Sequence, residues 1–276
     1  MILPTMKIGD LEVSRLIVGS NPFTGKSHLD SATDAEMSAH FTEERAFAML
    51  KRCEEVGITA VQSRGSMPVM GLLKRYRESG GKLLWLAQTG KSYATFQEEL
   101  DEMMKYDPSA LCIHGELTDE LYLNGKLELL WDLLTRMRRK GLPVGICSHF
   151  PEALIYAEEH GLKPDYYMAS VYNLFQPDRS KDLNPTGERF ERSDVPKMYE
   201  VIRSLSAPTV ALKILGAGRR CTTQEDVKDA FIEAFASIKN GDGVLVGMYD
   251  KHEDQPRLDA EYTLEAIRLA QTKARE

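Results

Sequence analysis

The stretch "PVGICSHFPEALIYAEEH" at residues 143–160 joins a short apolar run to a longer segment with helical spacing. Residues 144–147 are almost continuously apolar, which is typical of a parallel strand that is covered on both faces. Pro151 follows a few residues later, where the first turn of a helix tolerates proline. The stretch therefore predicts one strand followed directly by one helix.

The same alternation recurs along the whole chain. The eight predicted strands are 16–21, 60–64, 83–88, 111–115, 143–149, 166–173, 209–215 and 243–249. Helical patterns lie between them, for example at 43–56 and 222–239, and a last helix is predicted at about 257–274. Eight strand–helix units predict an α/β protein of the (β/α)8 or TIM barrel class. A doubly wound sheet is the alternative, but it normally has a glycine-rich G-x-G-x-x-G turn after its first strand, where this chain has "GSNPFTG".

The N-terminal stretch "MKIGDLEVSRL" at residues 6–16 has turn residues between two short alternating runs. This pattern predicts a β-hairpin that closes the bottom of the barrel. We expect residues 1–276 to form a single barrel domain with an insertion at 22–42. The polar stretch 177–194 is predicted to be a loop or lid.

Composition narrows the class of protein. The 276 residues carry a net charge of −7 without a basic patch, so nucleic acid is not an expected partner. The sequence has no apolar run of about 18 residues and no signal-peptide pattern, so we expect no membrane association. Its four cysteines form no C-x-x-C pair, which favours reduced, buried thiols in a cytoplasmic protein. The expected partner is a small-molecule substrate, and the sequence leaves the oligomeric state open.

Polar residues stand at or just beyond the ends of the predicted strands, where TIM barrels carry their catalytic groups. They are Asn21, Gln62, Arg64, Gln88, His114, Glu116, His149, Asn173, Gln176 and Lys213. A single polar residue at a strand end is often only a cap, but burying so many together is costly unless they pair or meet a ligand. We therefore predict one pocket, in which Asn21, Gln62, Arg64, Gln88 and Asn173 hold the substrate.

Three of these residues are predicted to be catalytic. His114 and His149 could act as general acid or base, because imidazole titrates near neutral pH. With Glu116 they could instead bind a divalent metal ion. Lys213 could form a Schiff base with a carbonyl substrate if burial lowered its pKa; an ion pair or an anion contact is the alternative.

The loop "GAGRRCTTQED" at residues 216–226 precedes a predicted helix. Backbone N–H groups at a helix N-terminus favour phosphate, and TIM barrels often bind phosphate near this part of the fold. Gly216, Gly218, Arg219 and Arg220 are thus candidates for binding an anion or a cofactor phosphate, and an ordinary surface loop is the alternative.

The order of motifs along the chain resembles the aldo-keto reductase superfamily. "LEVSRLIVGSNPFTG" resembles its hairpin and first strand, and "GITAVQSR" takes the place of its "G-I-x-x-x-D-T-A". "ALCIHGEL" resembles its fourth strand, which ends in His, and "GLPVGICSHFPEAL" resembles its "G-x-x-x-G-x-S-N-x-x-x-x-L". "ASVYNLFQP", "ALKILGAGR" and "VLVGMYD" resemble the last three strands, so the resemblance covers nearly the whole chain.

The resemblance implies a TIM barrel and reduction of carbonyls with NADPH by an Asp, Tyr, Lys and His tetrad. Only His114 matches that tetrad. Gln62 stands at the Asp position, Gln88 or Thr89 at the Lys position, and "RGSMPVM" at 64–70 lacks the Tyr. His149 stands where the family has an Asn that contacts nicotinamide. Tyr93 or Lys91 could enter the site from the loop after the third predicted strand, 83–88.

These departures predict a divergent barrel enzyme that acts on a small polar carbonyl or sugar-like substrate. The expected chemistry is acid/base or metal-assisted, of the lyase, isomerase or aldolase type. One alternative is an NAD(P)H-dependent oxidoreductase with a rewired site. Another is a non-catalytic barrel that only binds a ligand.

Overall fold

The computed structural model describes residues 1–175 and 188–273. Most of the predicted loop at 177–194 lies outside these ranges, as does Gln176. The described end of that stretch leads into a helix that begins at Asp194.

Eight parallel strands close into a barrel, which confirms the predicted fold class. They are β3 (Leu16–Gly19), β4 (Ala60–Arg64), β5 (Leu84–Gln88), β6 (Ala110–Ile113), β7 (Val144–Ser148), β8 (Tyr166–Ser170), β9 (Thr209–Leu212) and β10 (Gly243–Gly247). Each strand pairs with its sequence neighbour, and β10 pairs with β3 to complete the ring. Most strands end earlier than predicted. At β9 the reason is local, because Lys213 has a φ of 64° and leaves the extended conformation.

Helices follow the strands and cover the barrel. They are α1 (Ser31–His40), α2 (Glu43–Glu55), α3 (Met67–Glu78), α4 (Phe96–Met104), α5 (Gly115–Leu123), α6 (Leu130–Arg138), α7 (Pro151–Glu159), α8 (Asp194–Ser204), α9 (Gln224–Ser237) and α10 (Gln255–Lys273). Short 3-10 turns occupy Pro22–Thr24 and Leu127–Leu129. The predicted insertion at 22–42 contains the first of these turns and α1. None of the helices in the described ranges combines the length and apolar content that a bilayer crossing requires.

A two-stranded antiparallel hairpin, β1 (Thr5–Ile8) and β2 (Leu11–Ser14), precedes the barrel, as predicted. Gly9 turns the chain with a φ of 56°, a value that suits glycine. Met6, Ile8 and Val13 pack against side chains of the barrel interior, including Leu86 and Met168. The hairpin therefore fills the lower end of the barrel.

The core has two layers. The interior layer joins the hairpin to inward-facing strand residues such as Ile17, Cys112 and Val210. A larger outer layer lies between the strands and the helices and contains large fully buried side chains such as Trp85 and Phe231. Hydrophobic groups fill the middle and the bottom of the barrel interior, which leaves its C-terminal end for the polar side chains at the strand ends.

Candidate functional site

A cavity of about 720 Å³ opens at the C-terminal ends of the barrel strands. Most of the site residues that were predicted from their positions at strand ends line this cavity. Those that line it are Asn21, Gln62, Arg64, Gln88, His114, Glu116, His149, Lys213 and, from the glycine-rich loop, Gly218. The cavity thus lies where catalytic groups of TIM barrels are found.

Four of the predicted binding residues are not among the described residues that line this cavity. Asn173 is buried, and its backbone N–H donates to Asp194 Oδ2 at 3.0 Å. Gly216 is also buried, and its φ of 57° serves the turn. The other two are Arg219 and Arg220.

The two arginines of the loop have partners elsewhere. Arg219 donates to the carbonyl oxygens of His28 and Gly216 at 3.1 Å each, and its guanidinium lies 3.9 Å from the Phe190 ring centre. Arg220 pairs with Glu233 of α9. These contacts hold the two arginines in the loop and against α9, and neither of them lines the cavity.

The helix that follows this loop is already capped. Thr223 accepts the N–H of Asp226, and the Asp226 carboxylate accepts the N–H of Thr223 in return. This capping box uses N–H groups that an anion would need, and it places a negative charge beside them.

The predicted metal ligands are not arranged as a metal site. His114 Nδ1 accepts the N–H of Glu116, Glu116 pairs with Lys91, and His149 Nδ1 is bonded to Asp119. In the part of the chain that the structure describes, no group of three or more His, Cys, Asp or Glu is placed to hold a metal ion. The residues present do not fit the predicted metal ion.

His149 is instead paired with a residue that sequence reasoning missed. Its Nδ1 lies 2.6 Å from Oδ2 of Asp119, which is buried on α5. The other carboxylate oxygen of Asp119 accepts the Ser148 hydroxyl at 2.7 Å and the His149 backbone N–H at 3.0 Å. Three donors therefore fix the carboxylate, which in turn orients the imidazole. The Phe175 ring meets the imidazole edge to face at 5.3 Å between ring centres.

The second histidine is held as a neutral ring. Burial and the nearby cations Lys91, Arg64 and Lys213 hold the pKa of His114 well below its usual value, and His149 acts in the same direction. Its Nδ1 accepts an N–H at the start of α5, so the proton of the neutral ring is on Nε2. His114 can therefore offer the cavity a hydrogen-bond donor that carries no charge.

Lys213 is a half-buried amine directly after β9. It lines the cavity, and within residues 1–175 and 188–273 no carboxylate lies within ion-pair distance of its Nζ. Burial lowers its pKa, although Glu188, Cys147 and Glu116 act in the opposite direction. Its left-handed backbone, with a φ of 64°, is an uncommon conformation for a lysine.

Arg64 supplies another cation at the cavity wall. Its Nε is buried and makes no hydrogen bond to any described residue, and Nη2 lies 4.0 Å from Glu99. Next to it, Gln62 Nε2 donates to Gln88 Oε1 at 3.1 Å. These two amides form an uncharged pair on adjacent strands.

A third histidine enters the cavity from the loop after β3. His28 Nδ1 lies 2.7 Å from Glu188, and its Nε2 lies 2.8 Å from Asn21 Nδ2. His28 also has a φ of 60°. Burial acts to raise the pKa of Glu188, but His28 and Lys213 hold it below its usual value. No strand pattern marks these residues, because both lie in irregular segments.

The reductase machinery that the sequence resemblance implies does not fit this site. Gln62 stands at the position that the resemblance gives to the family's Asp, and Gln88 or Thr89 at the position of its Lys, so no charged pair is present there to tune a phenol. Tyr93 does not enter the site: its hydroxyl donates to Asp132 at 2.8 Å, and it is not among the described lining residues. Lys91 does line the cavity, but it pairs with Glu116. No step that involves a nicotinamide cofactor follows from these residues.

The cysteine at the end of β7 is part of the cavity wall. Burial raises the pKa of Cys147 to about 12, so its thiol is inert at neutral pH. Cys53 and Cys112 are also buried, as predicted, whereas Cys221 is exposed.

Comparisons with known proteins concern the fold. No family model matches the sequence, and no curated protein matches it. Among solved structures, the aldo-keto reductase AKR11C1 from Bacillus halodurans in its holo form is similar, with a TM-score of 0.60 and 10% identity over 99% of this chain and 96% of that one.

Two further structures are similar over nearly the full length. The protein Gox0644 in its apo form has a TM-score of 0.60 at 12% identity, with 98% of this chain and 94% of that one covered. A truncated 3-deoxy-D-arabino-heptulosonate 7-phosphate synthase from Thermotoga maritima has a TM-score of 0.57 at 14% identity, with 98% and 93% covered. The chain therefore has the TIM-barrel fold that an aldo-keto reductase and a sugar-phosphate synthase also have.

Proposed function

We propose that this protein is an enzyme that moves a proton at the carbon next to the carbonyl of a small polar substrate, as isomerases, aldolases and related lyases do. The observation that carries the proposal is the buried Asp119–His149 pair at the wall of the cavity. An imidazole that is oriented by a carboxylate is a common general base.

In this mechanism His149 is the base. Asp119 accepts the proton of Nδ1, which leaves the lone pair of Nε2 for the substrate. Nε2 takes a proton from the carbon beside the carbonyl, and the electron pair of the broken C–H bond moves toward the carbonyl. Return of a proton from His149 to the same carbon restores the C–H bond, and because a protonated imidazole exchanges its N–H with water, this carbon takes up a solvent proton.

His114 is the electrophile. While the amine of Lys213 adds to the carbonyl carbon, the neutral Nε2–H of His114 donates to the carbonyl oxygen and stabilises the negative charge that develops on it. A neutral donor suits this role, because its proton is shared with the oxygen while the ring remains uncharged in the resting enzyme.

Lys213 supplies the electron sink. Its amine adds to the carbonyl carbon, and loss of water gives an iminium ion that withdraws the electron pair released by the C–H bond. Burial favours this reaction because it lowers the pKa of the amine and so increases the fraction that is free to attack. Arg64 and the Gln62–Gln88 pair line the same wall and bind the polar groups of the substrate.

The test is proton exchange with solvent. The protein is incubated in D2O with a panel of three- to six-carbon hydroxyaldehydes, hydroxyketones and 2-keto acids, and loss of the proton next to the carbonyl is followed by NMR. Exchange reports the proposed step whatever product the enzyme forms. We expect at least one compound to exchange faster than in buffer, and the H149A variant to lose that exchange.

Glu120→Gln is the matched control, because Glu120 is exposed and lies next to Asp119 on the same helix. It should exchange at the wild-type rate. Saturable binding of panel members without any exchange would overturn the proposal and favour a ligand-binding barrel. Saturable binding and oxidation of NADPH with these carbonyls would favour a reductase.

A further inference from the structure

The cavity extends beyond the strand ends that carry the two histidines and Lys213. It continues past β9 and β10 to the first turns of α9 and α10. We call this part the side arm. It is defined by Cys221, Gln224, Val227, Glu253, Leu258 and Asp259. At about 720 Å³ the whole cavity is large for a single three- to six-carbon compound.

Asp259 is the unusual residue of the side arm. Its exposed fraction is only 4%, and it lines the cavity from α10. Among residues 1–175 and 188–273, none donates a hydrogen bond to its carboxyl group or forms an ion pair with it. Buried carboxyl groups without any partner are rare, because each gives up its hydration without compensation.

The surroundings of Asp259 provide no positive charge. Burial alone raises the pKa of Asp259 to about 8, so no neighbouring cation stabilises its carboxylate. The groups that sense its charge are Cys53, Cys221 and Tyr262, none of which is cationic. Glu253, the other ionisable residue that defines the arm besides Cys221, is acidic. The basic residues that line the cavity within the described ranges lie at or just beyond the C-terminal ends of the strands, or in the loop after β3.

The side arm also has apolar wall residues, beside the uncharged polar side chain of Gln224. Val227 of α9 and Leu258 of α10 line the same arm as Asp259, and Leu29, which also lines the cavity, packs against Gly218. A ligand that suits this arm has a short hydrocarbon part and one group that donates N–H bonds and brings positive charge. Such a group would supply the hydrogen bonds and the counter-charge that Asp259 lacks among the described residues.

We propose that the side arm is a binding site for an aliphatic ammonium group, which donates its hydrogen bonds to Asp259 while its alkyl part packs on Val227 and Leu258. The site is separate from the Asp119–His149 pair and needs no turnover. Its test is therefore independent of the proton-transfer mechanism.

The probes are n-butylamine and n-butanol, which match in size and differ in the charged head. Binding to the full chain is measured by isothermal titration calorimetry and by NMR of ¹³C-labelled aspartate. We expect saturable binding of butylamine, no saturable binding of butanol, and a carboxyl signal of Asp259 that shifts toward the ionised form as butylamine binds.

The variants D259N and D259A should lose at least tenfold in butylamine affinity. D229N is the matched control, because Asp229 is exposed on α9 and the change in net charge is the same. It should bind butylamine as the wild type does. Equal binding of butanol and butylamine, unchanged affinity in D259N, or no saturable butylamine binding would each overturn the proposal.

Discussion

Asp119 Oδ2 and His149 Nδ1 lie 2.6 Å apart although 30 residues separate them in the sequence. The contact joins α5 to the residue after β7, and it orients the imidazole at the cavity wall. Replacing the carboxylate by an amide keeps the size of the side chain and removes the acceptor charge. We expect D119N to lower the exchange rate by about 10²- to 10⁴-fold.

The same variant tests how the pair contributes to stability. The amide of D119N would leave the Ser148 hydroxyl or the His149 N–H poorly satisfied, so we expect a loss of about 1–3 kcal/mol in the free energy of unfolding. Urea denaturation followed by circular dichroism measures this, with E120Q as the reference. An exchange rate in D119N equal to that of E120Q would mean that Asp119 has only a structural role.

Lys213 can be tested by chemical trapping. Borohydride reduces an iminium ion to a stable amine, so protein incubated with a reacting carbonyl compound and borohydride should gain the mass of that compound. We expect the modified peptide to contain Lys213, and K213M to remain unmodified. If the wild type exchanges protons but traps nothing, the carbonyl itself acts as the electron sink.

The backbone at Lys213 gives a separate prediction about stability. A φ of 64° disfavours any residue with a Cβ, so K213G should be more stable than K213A by about 1 kcal/mol. The order should reverse at Lys197, which lies within α8, because alanine stabilises helices relative to glycine. Thermal or urea denaturation of K213G, K213A, K197G and K197A measures the glycine–alanine difference at each position. Equal stability of K213G and K213A would mean that the backbone at Lys213 is not strained.

His114 should remain neutral in mildly acidic solution. Burial and neighbouring cations hold its pKa well below the usual value, so its ring should still be neutral near pH 6.5, where an unperturbed histidine is about half protonated. Long-range ¹⁵N–¹H NMR distinguishes the neutral Nε2–H tautomer from the charged ring. His252, which is exposed, serves as the reference within the same spectrum. A charged-ring pattern for His114 at pH 6 would remove its role as a neutral donor.

Asp259 makes stability depend on pH in a predictable direction. Its pKa is about 8 in the folded chain and about 3.9 when unfolded, so the unfolded state releases its proton first as the pH rises. The contribution of this residue is most favourable below about pH 4 and is lost progressively up to about pH 8, with a slope of at most about 1.4 kcal/mol per pH unit. D259N lacks this titration.

We therefore expect the stability difference between D259N and the wild type to increase in favour of D259N as the pH rises from about 4 to about 8. Urea denaturation of both proteins across this range measures the difference, and D229N controls for net charge. A difference that does not change with pH would mean that Asp259 has an ordinary pKa.

The barrel was predictable from sequence because each buried strand carries its own local pattern. The residues 144–147, for example, are apolar on both faces, and the observed strand is Val144–Ser148. The positions of His114, His149 and Lys213 at the ends of predicted strands also indicated that the three residues share one cavity. By contrast, the role of Arg220 depends on Glu233, which lies on the next helix, so its sequence neighbourhood could not reveal it.

Asp119 and Asp259 were missed for a related reason. Both lie on helices, where acidic residues are usually solvated, and the strand-end rule does not include them. A local signal existed in each case. Asp119 lies between the buried residues Thr118 and Leu121, and Asp259 precedes the buried Ala260. An acidic residue on the apolar face of a helix should therefore be treated as a candidate site residue.

The N-terminal hairpin has a consequence for the order of events in the cavity. Because Met6, Ile8 and Val13 fill the lower end of the barrel, we expect the reactant and the product of the proposed reaction to share the opening at the C-terminal ends of the strands. A molecule that has reacted must leave before the next one enters. Accumulated product should thus compete directly with fresh reactant, and initial-rate measurements should show purely competitive product inhibition.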